Sequence, residues 1–284
     1  MREDALASRQ IYTLVKLFGL DSDEFLSNHL IHMFAVCGSL KQAYNVFNNI
    51  LSPGLPTWNA IISANLYLKN NENVIEHYHQ MKSLGIKFDG PMFVVVIRAC
   101  TSILALPEGK EVHNHVHESG LESDKFVGTA LIRMYAKCGS LEDASHVFDN
   151  ISMRDIVTWT SLISGYAEYG HVEKALCLFH GMQKDGFEPN HVTYCSIMKS
   201  CQEPYALDTG QNLHGLIVER GYESDDFVGC SIIDMYSKCG SLEDLCVMFS
   251  RLQLMSKVAW TALISGHVYH GQDYQAIMLF ECML

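Results

Sequence analysis

The heptapeptide Lys137-Cys138-Gly139-Ser140-Leu141-Glu142-Asp143 occurs a second time, unchanged, from Lys238 to Asp244. A related stretch, Cys37-Gly38-Ser39-Leu40-Lys41-Gln42, precedes both. The three copies stand one constant interval of 101 residues apart. A fixed period of this kind constrains architecture before any single residue does, because each period must be a structural unit that stacks on the next. Locally the stretch reads as a turn between two helices. Gly139 suits the left-handed position that ends a helix. Ser140 is placed as N-cap of the next helix with Asp143 in capping-box position, and Ser39 with Gln42 fits that box more closely.

Each period divides into three sub-repeats, and each sub-repeat reads as a pair of short helices. In Ile156 to Asn190, Trp159, Leu162, Ile163 and Tyr166 fall on one helical face. Gly170 breaks that helix; Val172, Ala175, Leu176, Phe179 and Met182 form a second amphipathic face, ended by Gly186 and Pro189. In Lys125 to Asp155 the expected core is Val127, Leu131, Met134 and Tyr135 from the first helix and Leu141, Ala144, Val147 and Phe148 from the second. The same reading divides the chain into units 1–23 (partial), 24–54, 55–89, 90–124, 125–155, 156–190, 191–225, 226–256 and 257–284 (truncated), in one array over 1–284. A helix pair of this size cannot bury its own apolar face, whereas stacked pairs share a continuous core. The expectation is an all-α solenoid of antiparallel helix pairs. Neither end carries a polar cap, so a fragment of a longer array is expected.

Composition narrows the function classes. Of the 284 residues 48% are hydrophobic, enough for a packed core. No apolar run reaches the roughly 18 residues of a membrane helix, and no targeting segment is visible. The net charge of −12 opposes nonspecific polyphosphate binding but leaves room for a local basic stripe. The ten cysteines form no Cys-x-x-Cys pair, and buried reduced thiols are expected rather than disulfides or a metal site.

With these residues in view, the triplet resembles the pentatricopeptide repeats of plant organelle RNA-binding proteins, in the subclass that alternates standard, long and short repeats. The run from Phe126 through Ala144 is similar to the short type. Val157 to Tyr166 with Ala175 to Met182 is similar to the standard type, and Gly210 to Asp225 to the end of the long type. The resemblance implies a right-handed superhelical solenoid that binds single-stranded organellar RNA, one repeat to one base. In that family the fifth and last residues of a repeat choose the base. Splayed single-stranded bases expose edges that modular repeats can read in turn. An Asn side chain both donates and accepts, a Thr hydroxyl does either with less reach, and Asp accepts.

Carried onto this chain, Asn59 with Asp89 matches the pair that prefers U, Thr129 with Asp155 the pair that prefers G, and Thr160 with Asn190 the pair that prefers A. Thr261 implies a purine. Asn28 pairs with Gly54, which has no side chain. Val94 with Asp124, Cys195 with Asp225, and Cys230 with Ser256 depart from the readable pattern. Phe25, Phe126, Val157, Val192, Phe227 and Val258 occupy the second position, where the family sandwiches bases. The implied target is U-n-G-A, two unread positions, then a purine. The expected role is the specificity part of a C-to-U editing factor of a mitochondrion or chloroplast, with a deaminase appended or recruited in trans beside other editing-complex proteins. The alternative is a helical scaffold for protein partners, or a truncated array with weak RNA binding.

Other motifs carry less. His171-Val172-Glu173 spells the His-x-Glu of zinc deaminases, without the Pro-Cys-x-x-Cys that this chemistry also needs. His113, His115 and His117 alternate, a spacing that does not place ligands on one helical face. Asn150-Ile151-Ser152 is a formal sequon. Trp58, Trp159 and Trp260 repeat with the period and are read as core. No catalytic residue, cofactor or metal is expected.

Overall fold

A computed structural model describes residues 2–20, 23–252 and 256–283. Among them the regular elements are α-helices and one 3₁₀ turn, with no strand. The chain forms two compact bodies, Met1–Ser152 and Met153–Leu284. The first holds α1 (Arg2–Leu17), α2 (Glu24–Val36), α3 (Leu40–Asn48), α4 (Leu55–Tyr67), α5 (Asn71–Ser83), α6 (Gly90–Ser102), α7 (Leu106–Glu118), α8 (Lys125–Lys137) and α9 (Leu141–Asn150). The second holds α10 (Ile156–Glu168), α11 (Val172–Lys184), α12 (His191–Ser200), the 3₁₀ turn Pro204–Ala206, α13 (Leu207–Glu219), α14 (Asp226–Cys239), α15 (Leu242–Arg251), α16 (Lys257–Tyr269) and α17 (Asp273–Met283).

Both bodies are built alike. The first helix of each pair packs on the first helix of the next, α2–α4–α6–α8 in one body and α10–α12–α14–α16 in the other. Within each body the second helices lie behind, each against its own partner, and α3, α5, α7, α11, α13 and α15 also pack against the following first helix. The result is a two-layer stack, the all-α repeat solenoid that the period predicts. Each body has a spine of large apolar side chains at matching positions, all fully enclosed: Ile31, Ile62, Ile97 and Ile132 in the first, Ile163, Met198 and Ile233 in the second. Burying each such side chain contributes about 1.5–3 kcal/mol. The named core of α8 to α11 is buried, except that Val172 and Leu176 lie half-buried. Trp58 and Trp159 are buried and Trp260 is half-buried, edge-on to Phe249.

The turn that defines the period closes by hydrogen bonds from Ser140 N to Tyr135 O (2.9 Å) and from Gly139 N to Ala136 O (3.1 Å), with Gly139 at φ 79°. This is the paired-bond stop that a left-handed residue permits. Leu104 (φ 56°) and Lys69 (φ 60°) make the same turn without glycine.

Two expectations are corrected. Ser39, Ser140 and Ser241 precede their helices, but none caps through its side chain. Each hydroxyl donates instead to the side chain three residues on: Gln42 Oε1 (2.9 Å), Asp143 Oδ2 (2.7 Å) and Asp244 Oδ2 (2.7 Å). The proton committed to that acceptor orients the hydroxyl away from the orphan backbone N–H groups. Of the cysteines, Cys100, Cys201 and Cys239 are buried, Cys37 and Cys138 only half-buried, and Cys177, Cys246 and Cys282 exposed. The last three lie on second helices, where the face away from the core meets solvent.

Close approach also repeats with the period. A Cβ on Gly109 would stand 2.6 Å from Met134 Sδ, and one on Gly210 would stand 2.5 Å from Met235 Sδ. These glycines let a second helix seat on the following first helix.

Candidate nucleic-acid interface

Residues two, five and nine of a helix share one face, because 3.6 residues complete a turn. On the first helices this face looks outward from the core. Its second position is apolar and exposed throughout: Phe25 (74%), Phe126 (71%), Val157 (55%), Val192 (46%), Phe227 (75%) and Val258 (66%), with exposed Pro56 and Pro91 in the two remaining helices. Folding alone gives no reason to expose three phenylalanines at equivalent positions; a repeated apolar row marks a binding surface. The Lys125 ammonium lies 5.3 Å from the Phe126 ring centroid, and the His29 ring sits tilted at 47° with its centroid 4.4 Å from that of Phe25.

The fifth position varies in depth. Asn28, Asn59 and Thr129 are half-buried, as are Val94, Cys195 and Cys230; Thr160 is buried and Thr261 exposed. The Thr129 and Thr261 hydroxyls donate back to Lys125 O and Lys257 O, each at 2.7 Å. The Thr160 hydroxyl meets that of Thr193 at 2.8 Å. Cys230 Sγ lies 3.6 Å from Ser256 Oγ. Burial raises the pKa of the Cys195 thiol, against the lowering effect of a hydrogen bond with Ser231.

The last residue of each unit has a structural duty that sequence reading missed. It is the N-cap of the following first helix. Asp89 accepts from Met92 N (2.9 Å), Asp124 from Phe126 N and Val127 N (both 2.9 Å), Asp155 from Thr158 N (2.9 Å), and Asn190 from Thr193 N (3.0 Å). Asp225 and Ser256 do the same for α14 and α16. Gly54 has no such side chain, and Glu24 of the neighbouring helix takes its place. Its Oε1 accepts from Gly54 N at 3.1 Å and from the Thr57 hydroxyl at 2.7 Å. The only sequence signal for Glu24 is the absent side chain at Gly54.

The ninth position is mixed, being His32, Ser63, Arg98, Arg133, Ser164, Lys199, Asp234 and Ser265 along the first helices, and supplies positive charge at three of them. Arg98 and Arg133, on the adjoining helices α6 and α8, are exposed, as is Lys199 on α12. Asp234 on α14 is the acidic exception. It accepts from Lys238 (2.9 Å) and from Gln202 (2.7 Å), so its charge is compensated.

The remaining motifs lead elsewhere. His113, His115 and His117 turn to three different partners: Tyr135 (2.8 Å), Tyr78 (3.2 Å) and Glu122 (2.7 Å). They do not converge on a ligand position. His171 and Glu173 sit in the turn and first turn of α11.

In each body the fold and this surface define an α-helical repeat protein with an exposed apolar row beside variable fifth and ninth positions on one face of its first helices. The PPR repeat family pattern matches residues 154–203, and the PPR repeat pattern matches 56–86, 129–156 and 258–284. The chain belongs to the pentatricopeptide repeat family. It is 38% identical to a pentatricopeptide repeat-containing protein of Arabidopsis thaliana over 278 residues, covering 97% of this chain and 38% of the relative. Identity to the chloroplastic protein CRR2 of the same plant is 34% over 272 residues, covering 94% and 41%. A mitochondrial relative from that plant is 32% identical over 276 residues, covering 96% and 27%. Among solved structures, PPR10 of maize in complex with an 18-nt psaJ RNA element aligns with a TM-score of 0.81. The alignment covers 100% of this chain and 43% of that one at 18% identity, a likeness of fold. The chain spans less than half the length of each of these proteins.

Proposed function

We propose that this chain is part of an array that binds single-stranded RNA, one repeat to one base, and that it supplies the specificity of an organellar C-to-U editing factor. The observation that carries this reading is the coincidence on one face of an exposed apolar row, a variable fifth residue and, in α6, α8 and α12, an exposed Arg or Lys at the ninth position. Apolar side chains stack with bases, polar ones meet base edges, and cations meet phosphates. PPR10, whose fold this chain shares, is solved in complex with an RNA element and lends support.

Following chain order, Asn59 with Asp89 reads U, Thr129 with Asp155 reads G, Thr160 with Asn190 reads A, and Thr261 reads a purine. Asn28 has no partner side chain at Gly54 and contributes contact without choice. The alternation of standard, long and short unit lengths supports membership of the subclass that serves editing, and the proposed deaminase is appended to the parent or recruited in trans. Relatives named chloroplastic and mitochondrial support an organellar site of action.

The test is a titration at fixed salt of U-n-G-A-n-n-A against A-n-C-C-n-n-U. The first should bind more tightly, and Asn59→Ala or Thr129→Val should reduce the difference. Equal weak binding would remove the base assignments and leave generic RNA affinity. Absence of binding to both would favour a protein-docking scaffold, the reading that the net charge of −12 favours.

A further inference from the structure

Thr193 is fully buried and lies on no predicted reading position, yet it touches both members of one predicted pair. Its hydroxyl is 2.8 Å from the Thr160 hydroxyl and 3.0 Å from Asn190 Oδ1, and Asn190 N points to it at 3.4 Å. The direction of every proton in this chain is fixed by elementary chemistry. The Thr193 backbone N–H donates to the Asn190 side chain at 3.0 Å, so the atom it meets must be the carbonyl oxygen. That oxygen only accepts, so the Thr193 hydroxyl proton goes to Asn190. The Thr193 oxygen then has only lone pairs left, and the Thr160 hydroxyl must donate to it.

Two groups remain for a ligand: the lone pairs of the Thr160 oxygen, an acceptor, and the Asn190 amide N–H₂, a donor. Adenine offers the complementary edge, an N6–H₂ donor beside the N1 acceptor. Guanine offers O6 as acceptor and N1–H as donor, the reverse order. We infer that Thr193 is a positioning residue that sets the hydrogen-bond polarity of the Thr160–Asn190 pair and thereby makes it select adenine over guanine. This rests on the proposed one-repeat-one-base reading and deepens it at one repeat. In the preceding unit Thr158 bonds Asp155 Oδ1 in the same way, through its N–H and its hydroxyl (both 2.9 Å), while the Thr129 and Thr261 hydroxyls donate to carbonyls of their own helices.

The test uses the whole chain with U-n-G-A-n-n-A and U-n-G-G-n-n-A, for the wild type, Thr193→Val and Thr193→Ser. Thr193→Val keeps the shape and removes the relay, so the preference for A over G should fall by about tenfold. Thr193→Ser keeps the hydroxyl and should retain the preference. Equal loss of affinity for both RNAs, with their ratio unchanged, would make Thr193 a purely structural residue and overturn the inference, as would wild-type discrimination in Thr193→Val. Should Thr193→Val fail to fold, Asn190→Asp keeps the cap and turns the outward donor into an acceptor. Preference should then move from A to G, and its staying on A would overturn the inference. A wild type that binds RNA with no preference for A would instead remove the underlying reading at this repeat.

Discussion

Cys100 and Cys177 show how environment sorts chemically identical side chains. Burial, helped by the negative charge of Glu108, pushes the Cys100 thiol up to about 12, whereas Cys177 stands exposed on α11. The thiolate is the reactive form. Iodoacetamide at mildly alkaline pH should therefore modify Cys177 and Cys282 in the folded protein and reach Cys100 only on unfolding, as peptide mass mapping would read. Prior labelling of Cys100 would contradict its enclosure. His113 and His214 are displaced in the same sense: burial lowers both, with Glu122 and Glu223 acting in the opposite direction. A histidine with a lowered folded pKa contributes no penalty above its unfolded value near 6.5, and stability is lost as pH falls below that value toward the folded pKa. The urea midpoint should thus drop between pH 7.5 and pH 5.5, and the drop should shrink in the His113→Gln, His214→Gln double variant.

At the scale of elements, the turns are where sequence and structure part company. Gly38, Gly139 and Gly240 announce their left-handed geometry, and Gly139→Ala should cost about 1–2 kcal/mol in thermal or urea unfolding. Ile103-Leu104-Ala105 announces nothing, yet Leu104 adopts φ 56° with the same pair of hydrogen bonds. Leu104→Gly should stabilise the protein by about 1 kcal/mol, because it removes that strain; an unchanged midpoint would show that the exposed side chain compensates. Helices, turn glycines and buried faces were legible because burial imposes a period of 3.6 on apolar residues. The exposed Phe126, the polar Thr160 and the terminal Asn190 were legible only through the repeat. The capping duty of the last residue and the Thr193 relay were not, because both depend on which proton is already committed. The capping box expected at Ser140 failed for the same reason.

For the molecule as a whole, net charge is a poor guide to the interface. The chain carries −12, yet α6 and α8, which pack together, each expose an arginine at the ninth position, Arg98 and Arg133. A phosphate contact by each contributes roughly 0.7 to the slope of log K against log salt for a single strand. Arg98→Gln with Arg133→Gln should reduce that slope by about 1.4, and by the same amount for matched and mismatched RNA. Lys184→Gln, at the solvent end of α11, should leave it unchanged. A slope equal to wild type in the double arginine variant would take the phosphates away from this face.

The capping role of each unit's last residue has an evolutionary consequence under the proposed reading. A substitution that changes the letter read at one repeat also changes how the next helix begins. Asp89, Asp124, Asp155, Asn190, Asp225 and Ser256 all come from the small set of side chains that cap well. The fifth position is under no such demand and holds Asn, Thr, Val or Cys. Such an array is freer to acquire new targets through its fifth residues. Its last residues drift within an alphabet that helix initiation has already restricted, and an exit from it costs about 1 kcal/mol before any base is met.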